Sequence, residues 1–287
     1  MPREQFHYDG SQRLCDLIDE AGQRAGLSRG QAFEDFLACS LAALSGQQME
    51  DEYLAVVRKG YAEGNPGRRG IDALTQAFGT LVDMMEATRR DILGDLFQGG
   101  ITYGEAGQFL TPEEICQLMA AISADDAPPN AKVFDPCSGS GRMLLAYAEQ
   151  CRGGELIGQD IDLRCVRMTA INLALRNLYG FALWGNSLSS EVRLAYRTGF
   201  NMHGGVIRYA HPDELPTSGP RPLHSLLPRP QQASRLPAHN QMVPLRNCTC
   251  SDNATDFALV ASHRPLRTGR SVRHAGPVLP SFGRAII

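Results

Sequence analysis

Apolar residues recur at helical spacing through most of the first hundred positions. In SQRLCDLIDEAGQRAG, Leu14, Leu17, Ile18 and Ala21 fall on one face, with Ser11 placed as an N-cap. Gly26 to Gly30 breaks the pattern, and GQAFEDFLACSLAALS restarts it with Phe33, Phe36, Leu37 and Leu41. Gln47 to Lys59 reads as a third helix turning Tyr53, Leu54 and Val57 inward. EGNPGRRG, Glu63 to Gly70, is a turn-rich break. Ile71 to Phe97 then predicts one long helix or two, interrupted near Gly79, with Leu81, Met84, Met85, Ile92, Leu93, Leu96 and Phe97 in the core.

The period changes further on. Gly99 to Gly107 reads as a flexible connector into GQFLTPEEICQLMAAIS. There Thr111 is placed as N-cap, Pro112 at the first helical position and Glu114 as the partner in a capping box. Ile115, Leu118, Met119 and Ile122 form the expected buried stripe. The apolar pair Phe109-Leu110, directly after a glycine-rich loop, suits a flap over a ligand. VFDPCSGSGRMLLAYAEQ, Val133 to Gln150, reads as a short buried strand, a glycine turn and a helix. The same βα alternation follows in GGELIGQDID (Gly153 to Asp162), in the helix from Leu163 to Leu178, and in FALWGNSL (Phe181 to Leu188). Alternation of this kind predicts an α/β sheet, preceded here by an all-helical module.

Composition narrows the class. The 287 residues are 43% hydrophobic, enough for a sizeable core. No run approaches the roughly 18 apolar residues of a membrane span, and the first residues lack a signal-peptide pattern, so a cytoplasmic, membrane-free protein is expected. The eight cysteines are scattered, and Cys248-Thr249-Cys250 has no matching second pair, so no metal site is expected. Net charge is −3, but Pro212 to Ile287 carries nine Arg, no Lys and four Asp or Glu, leaving the preceding part acidic. That balance does not by itself select a nucleic-acid partner.

The chemistry concentrates at the glycine turn. Gly139 and Gly141 allow close backbone approach where a strand ends and a helix begins, the place where open α/β sheets bind nucleotide-like cofactors. Asp160, 21 residues after Gly139, is the acidic strand-end residue expected to hold ribose hydroxyls, and Asp162 is the expected cap of the following helix. DPCSGSG is neither G-x-G-x-x-G nor a P-loop. Asp135 beside the turn would repel a pyrophosphate and suits a cofactor bearing an ammonium or sulfonium group, which favours S-adenosyl-L-methionine over NAD or ATP.

Over roughly residues 30 to 190 the chain resembles the modification (methylase) subunits of type I restriction-modification systems, the gamma-class N-6 adenine DNA methyltransferases. GQFLTP (Gly107 to Pro112) looks like that family's G-x-F-[YF]-T-P box, with Leu110 in place of an aromatic. DPCSGSGRML looks like its cofactor turn, GQDID like its ribose segment, INLALRNL (Ile171 to Leu178) like the helix after it, and GNSL (Gly185 to Leu188) like the turn beside the adenine ring. The resemblance implies a Rossmann-like methyltransferase sheet. It also implies cofactor contacts at Phe109, Thr111, Pro112, Asp135, Pro136, Ser138, Gly139, Gly141, Asp160 and Asn186. Double-stranded DNA is the implied partner, together with specificity and restriction subunits.

The family's catalytic tetrapeptide, [ND]-P-P-[YF], is absent: SSEVRLAYRTGFNMHGGVIRYAHPDELP follows Asn186. The nearest polar-aromatic pair, Phe200-Asn201, lacks the prolines, so no catalytic residue is assigned. Eleven of the 17 prolines lie from Pro212 onward, where only Thr255 to Ala261 reads as a strand. The expected organisation is therefore a helical module (1–98), a cofactor-binding α/β domain (99–211) and an irregular Pro/Arg-rich tail (212–287). Such a chain is either a DNA methyltransferase or a catalytically inactive or truncated relative.

Overall fold

The computed structural model describes residues 5–102, 109–125, 127–128, 130–151, 153–216 and 257–259. The helical module contains α1 (Ser11–Ala25), α2 (Arg29–Ala43), α3 (Glu50–Val56), α4 (Gly70–Thr88) and the short α5 (Ile92–Leu96). Ser28 caps α2 in a full capping box with Gln31. Gly10 stands at the N-cap of α1, and Ser11 lies inside the helix. The hydroxyl of Ser11 instead donates to buried Asp95 at 2.7 Å, a stronger partner than its own helix end.

Gly79 does not interrupt α4, which runs unbroken to Thr88. The break comes at Arg89, in the left-handed region at φ 57°, and Asp91 then caps α5 by accepting from Gly94 N. In α3 it is Val56 that is buried, while Tyr53, Leu54 and Val57 are half-buried.

Next come α6 (Glu113–Ala124), β1 (Lys132–Asp135), α7 (Arg142–Gln150), β2 (Glu155–Asp160), α8 (Leu163–Leu175) and β3 (Gly180–Trp184). The described chain ends with β4 (Leu194–Asn201), β5 (Gly204–Tyr209), a 3-10 turn (Pro212–Glu214) and β6 (Phe257–Leu259). The sheet order is β5-β4-β3-β2-β1-β6. β6, β1, β2 and β3 run parallel, whereas β4 and β5 form an antiparallel hairpin extending the sheet beyond β3. This is a Rossmann-like α/β architecture behind a helical module, as the alternating pattern predicted. Asn201 and Gly204 pair across a two-residue loop at the hairpin tip. Asn201 Oδ1 accepts His203 N at 2.7 Å, and Phe200 packs on Tyr179 with ring centroids 4.9 Å apart. The pair Phe200-Asn201 thus builds a hairpin.

One core joins the helical module to the sheet: Leu14, Phe33, Phe36, Leu74 and Leu81 cluster with Val166, Ile171, Tyr196 and Ile207. The end of α2 even pairs with the sheet edge, Ile207 N donating to Leu44 O at 2.9 Å. A second core lies under α6 and α7, where Cys116, Ala120, Val133, Leu144, Tyr147 and Leu173 meet.

The α6 stripe is reversed from expectation. Cys116 and Ala120 are buried, while Ile115, Leu118 and Ile122 are 45%, 56% and 49% exposed. Its start also differs, since Pro112 is the N-cap residue and no side chain caps it. Glu113 is instead drawn to Tyr8 and Arg90, and the carbonyl of Pro112 accepts from Ile115 and Cys116. The small residues face α7 because the two helices lie close. Among the described residues no helix is long and apolar enough to cross a membrane. Cys248 and Cys250 lie outside those residues.

Denaturant midpoints check this arrangement. Leu144→Ala, at a fully buried site, is expected to cost about 2–5 kcal/mol. Leu118→Ser is expected to stay within about 0.5 kcal/mol of the parent protein. Gly79→Ala, in open space within α4, is expected to stabilise by roughly 0.5–1 kcal/mol.

Candidate cofactor site

The turn after β1 is built almost entirely by backbone bonding. Ser138 N donates to Gln159 O at 3.0 Å, tying the turn to β2, and Gly141 N donates to Ser138 O at 2.7 Å. Gly139 and Gly141 have φ of 54° and 84°, the left-handed region that an L side chain adopts only at a cost. Packing adds a second reason for glycine: a Cβ at Gly141 would stand 3.1 Å from Thr169 Cγ2 on α8. Thr169 also holds the turn directly, donating its hydroxyl to Gly139 O at 3.0 Å. Gly158 on β2 leaves room for Ser138, whose Cβ would be 2.9 Å from a Cβ placed there.

Asp135 ends β1 and Asp160 ends β2, two strands in direct parallel register. Asp135 Oδ1 accepts Cys137 N at 3.1 Å. Asp160 Oδ2 accepts Gly139 N at 2.9 Å, and its Oδ1 accepts Asp162 N at 2.9 Å. The acidic strand end is therefore bonded to the glycine turn itself, and each oxygen retains acceptor capacity. Burial pushes the Asp135 carboxyl above its ordinary pKa; the Cys137 N–H opposes this and the Asp160 charge adds to it. Burial likewise raises Asp160, against the N–H groups of Asp162 and Gly139. Two half-buried carboxylates share this end of the sheet, and neither makes an ion pair in the described structure. Asp162 caps α8 through Arg164 N and pairs with the Arg164 guanidinium at 2.6 Å.

The other predicted residues lie on the turn itself, on the segment leading into α6 and on the loop after β3. Leu110 lies on the turn: a Cβ at Gly139 would be 2.6 Å from Leu110 Cδ2. Phe109, beside it, is 72% exposed. Thr111 contributes its carbonyl, which accepts Arg142 Nη1 at 3.0 Å, and Pro112 is exposed. Pro136 is half-buried within the turn, and Ser138 and Gly139 are buried. Asn186 follows β3, and Gly185 N donates to Asp160 O at 3.0 Å, so its loop abuts the acidic strand end. The Asn186 side chain accepts Leu188 N at 3.0 Å and shapes its own loop. Gly107 and Gln108 of the GQFLTP box lie outside the described residues.

Sequence reasoning passed over Asp91, Ser140, Arg142, Thr169 and Asn172. Ser140 Oγ and Arg142 Nε both donate to Asp91 Oδ2, at 2.5 and 2.9 Å. Asn172 Nδ2 donates to Asp91 Oδ1 and to Ser140 O, each at 2.8 Å. A capping Asp before an apolar helix carries no sequence mark that its second oxygen serves a turn 49 residues away.

A glycine turn thus lies between two acidic strand ends of a Rossmann-like sheet. Residues 88–195 match the family model described as N-6 DNA Methylase, a segment running from the end of α4 to β4.

Solved structures similar to the chain include a class I S-adenosylmethionine-dependent methyltransferase from Listeria monocytogenes, at 14% identity and TM-score 0.34, covering 60% of this chain and 52% of that one. Another is the type I restriction-modification system methyltransferase subunit from Streptococcus thermophilus, at 13% identity and TM-score 0.31, covering 58% and 56%. A third is the type IIG restriction endonuclease BpuSI, at 15% identity and TM-score 0.37, covering 59% of this chain and 23% of that one. The chain thus spans about half the length of the first two.

Gly141→Ala combines an unfavourable φ with the Thr169 contact. Its expected cost is roughly 1–2 kcal/mol, measured by urea unfolding. A loss as small as that of an exposed helix substitution would contradict the turn geometry.

Proposed function

We propose that the protein binds S-adenosyl-L-methionine at the 135–141 turn and acts in N-6 adenine methylation of double-stranded DNA within a type I-like restriction-modification assembly. The observation that carries the cofactor assignment is the placement of Asp135 and Asp160 at the ends of two adjacent parallel strands, with Gly139 N bonded to Asp160. Raised carboxyl pKa values there mark an electrostatic cost that a cationic cofactor offsets. In this reading Asp160 takes the ribose hydroxyls and the backbone of Ser138 to Gly141 approaches the amino-acid part. Asn186 borders the adenine ring, and Phe109, Thr111 and Pro112 close over the ligand. The DNA substrate and the specificity and restriction subunits rest on the match to N-6 DNA methylases and on the motif resemblance.

A second reading is favoured by one observation: no Asn-Pro-Pro or Asp-Pro-Pro run occurs in the chain. Transfer to an extruded adenine needs that base held by hydrogen bonds and stacking. A protein lacking such a clamp would bind cofactor and serve as an accessory, with a partner chain completing the base pocket.

Calorimetric titration tests the cofactor site. Asp160→Ala is expected to weaken S-adenosylmethionine binding by roughly tenfold or more, and equal affinity in both proteins would sink the ribose assignment. Because only the ionised carboxylates attract the cofactor's positive charge, affinity is expected to fall as pH drops through the raised pKa values of Asp135 and Asp160. It should level off above them. Cys137, exposed on the turn, is expected to alkylate more slowly with cofactor bound, as read by peptide mass spectrometry. Methyl transfer from labelled cofactor to unmethylated duplex, with and without a specificity subunit, separates the two readings. Robust transfer by the chain alone rules out the accessory one.

A further inference from the structure

We infer that Asp91, a residue of the helical module, is a positioning residue for the cofactor turn; this rests on the cofactor reading above. Its carboxylate is 2% exposed. It lies 49 residues from Ser140 and 81 from Asn172 in sequence. Oδ1 accepts Gly94 N and Asn172 Nδ2, each at 2.8 Å. Oδ2 accepts Ser140 Oγ at 2.5 Å and Arg142 Nε at 2.9 Å. One buried carboxylate therefore binds α5, the cofactor turn, the first residue of α7, and α8.

The turn has reason to need such an anchor. Ser140 sits between Gly139 and Gly141, the two residues with the widest backbone freedom in the segment. The hydroxyl and the carbonyl of Ser140 are both held, the one by Asp91 and the other by Asn172, whose amide also grips Asp91. The backbone between the glycines thus has its orientation set from outside the turn.

Arg142 extends the device to the segment covering the turn. Its guanidinium, 12% exposed at the side chain, donates Nε to Asp91 and Nη1 to Thr111 O. Leu110, next to Thr111, touches Gly139. The Asp91–Arg142 pair thereby fixes the height of residues 110–111 over the turn. Gly94 makes the pair possible, since a Cβ there would lie 2.0 Å from Asp91 Oδ2 and 2.8 Å from Arg142 Nη2.

Asp95 supplies the control. It is equally buried at 2% and equally bonded, accepting His7 N, Tyr8 N and Ser11 Oγ and lying 3.0 Å from His7 Nδ1, but none of its partners belongs to the turn. Asp91→Asn keeps side-chain size while removing the charge that holds Arg142. It is expected to weaken S-adenosylmethionine binding roughly tenfold and to speed hydrogen exchange at the amides of Gly139, Ser140, Gly141 and Arg142. Asp95→Asn is expected to lower melting temperature yet leave both readouts as in the parent protein, measured well below the transition. The inference is overturned if Asp91→Asn leaves turn exchange unchanged, or if Asp95→Asn loosens the turn equally. Should Asp91→Asn fail to fold, Ser140→Ala and Arg142→Gln each remove one of the donors to Asp91 Oδ2 and must show the same exchange pattern. Should the parent protein bind no cofactor, the cofactor reading fails, and turn exchange still decides whether Asp91 positions this backbone.

Discussion

A buried carboxylate is tolerated only when its lone pairs are filled, because desolvating the charge costs several kcal/mol. Asp91 meets that condition with donors from three different parts of the chain. The consequence reaches beyond one residue. The helical module cannot part from the turn without leaving a charge and a guanidinium buried and unmatched. The shared core of α1, α2 and α4 with α8 supplies the bulk attraction between these layers, but apolar burial is non-directional. The bonds of Asp91 give the contact its register.

The two kinds of acid in this protein then have distinct physical signatures. Asp91 and Asp95 are deeply buried and fully engaged. Asp135 and Asp160 are less buried, face the same open end of the sheet, and have only backbone N–H groups against them. Burial raises both of their pKa values, and no cationic side chain pairs with either among the described residues. The fold fills the acceptor sites of Asp91 and Asp95, whereas Asp135 and Asp160 keep acceptor capacity.

The sequence displayed this second kind clearly and the first hardly at all. The turn, Asp160 and the cap at Asp162 were legible because glycines, a strand-end acid and a capping acid sit at fixed local offsets. The long helices were legible from periodicity. What failed depended on tertiary partners. Ser11 gave up its expected capping role for Asp95. Gly79 was absorbed by a continuous α4, consistent with its modest intrinsic penalty. The α6 stripe turned outward because close packing on α7 selects Cys116 and Ala120 over larger side chains. The β4–β5 hairpin was hidden because its turn, Asn201 to Gly204, reads equally well as a loop.

In the proposed function, cofactor binding and methyl transfer are separable demands. The bonds that shape the 135–141 turn come from β2, α8 and the helical module, and β2 and β3 lie on one side of β1 in the sheet order. On the other side β6 runs parallel to β1, with Leu259 opposite Phe134, so both strands point towards the end where Asp135 lies. The sequence after β6, Val260 to Pro265, holds a single proline and no Asn-Pro-Pro run. Among the described residues the turn takes no hydrogen bond from that edge; under the proposed function a base would need a clamp of different chemistry there or a partner's clamp. The absence of an Asn-Pro-Pro run thus leaves every described bond that holds the turn in place.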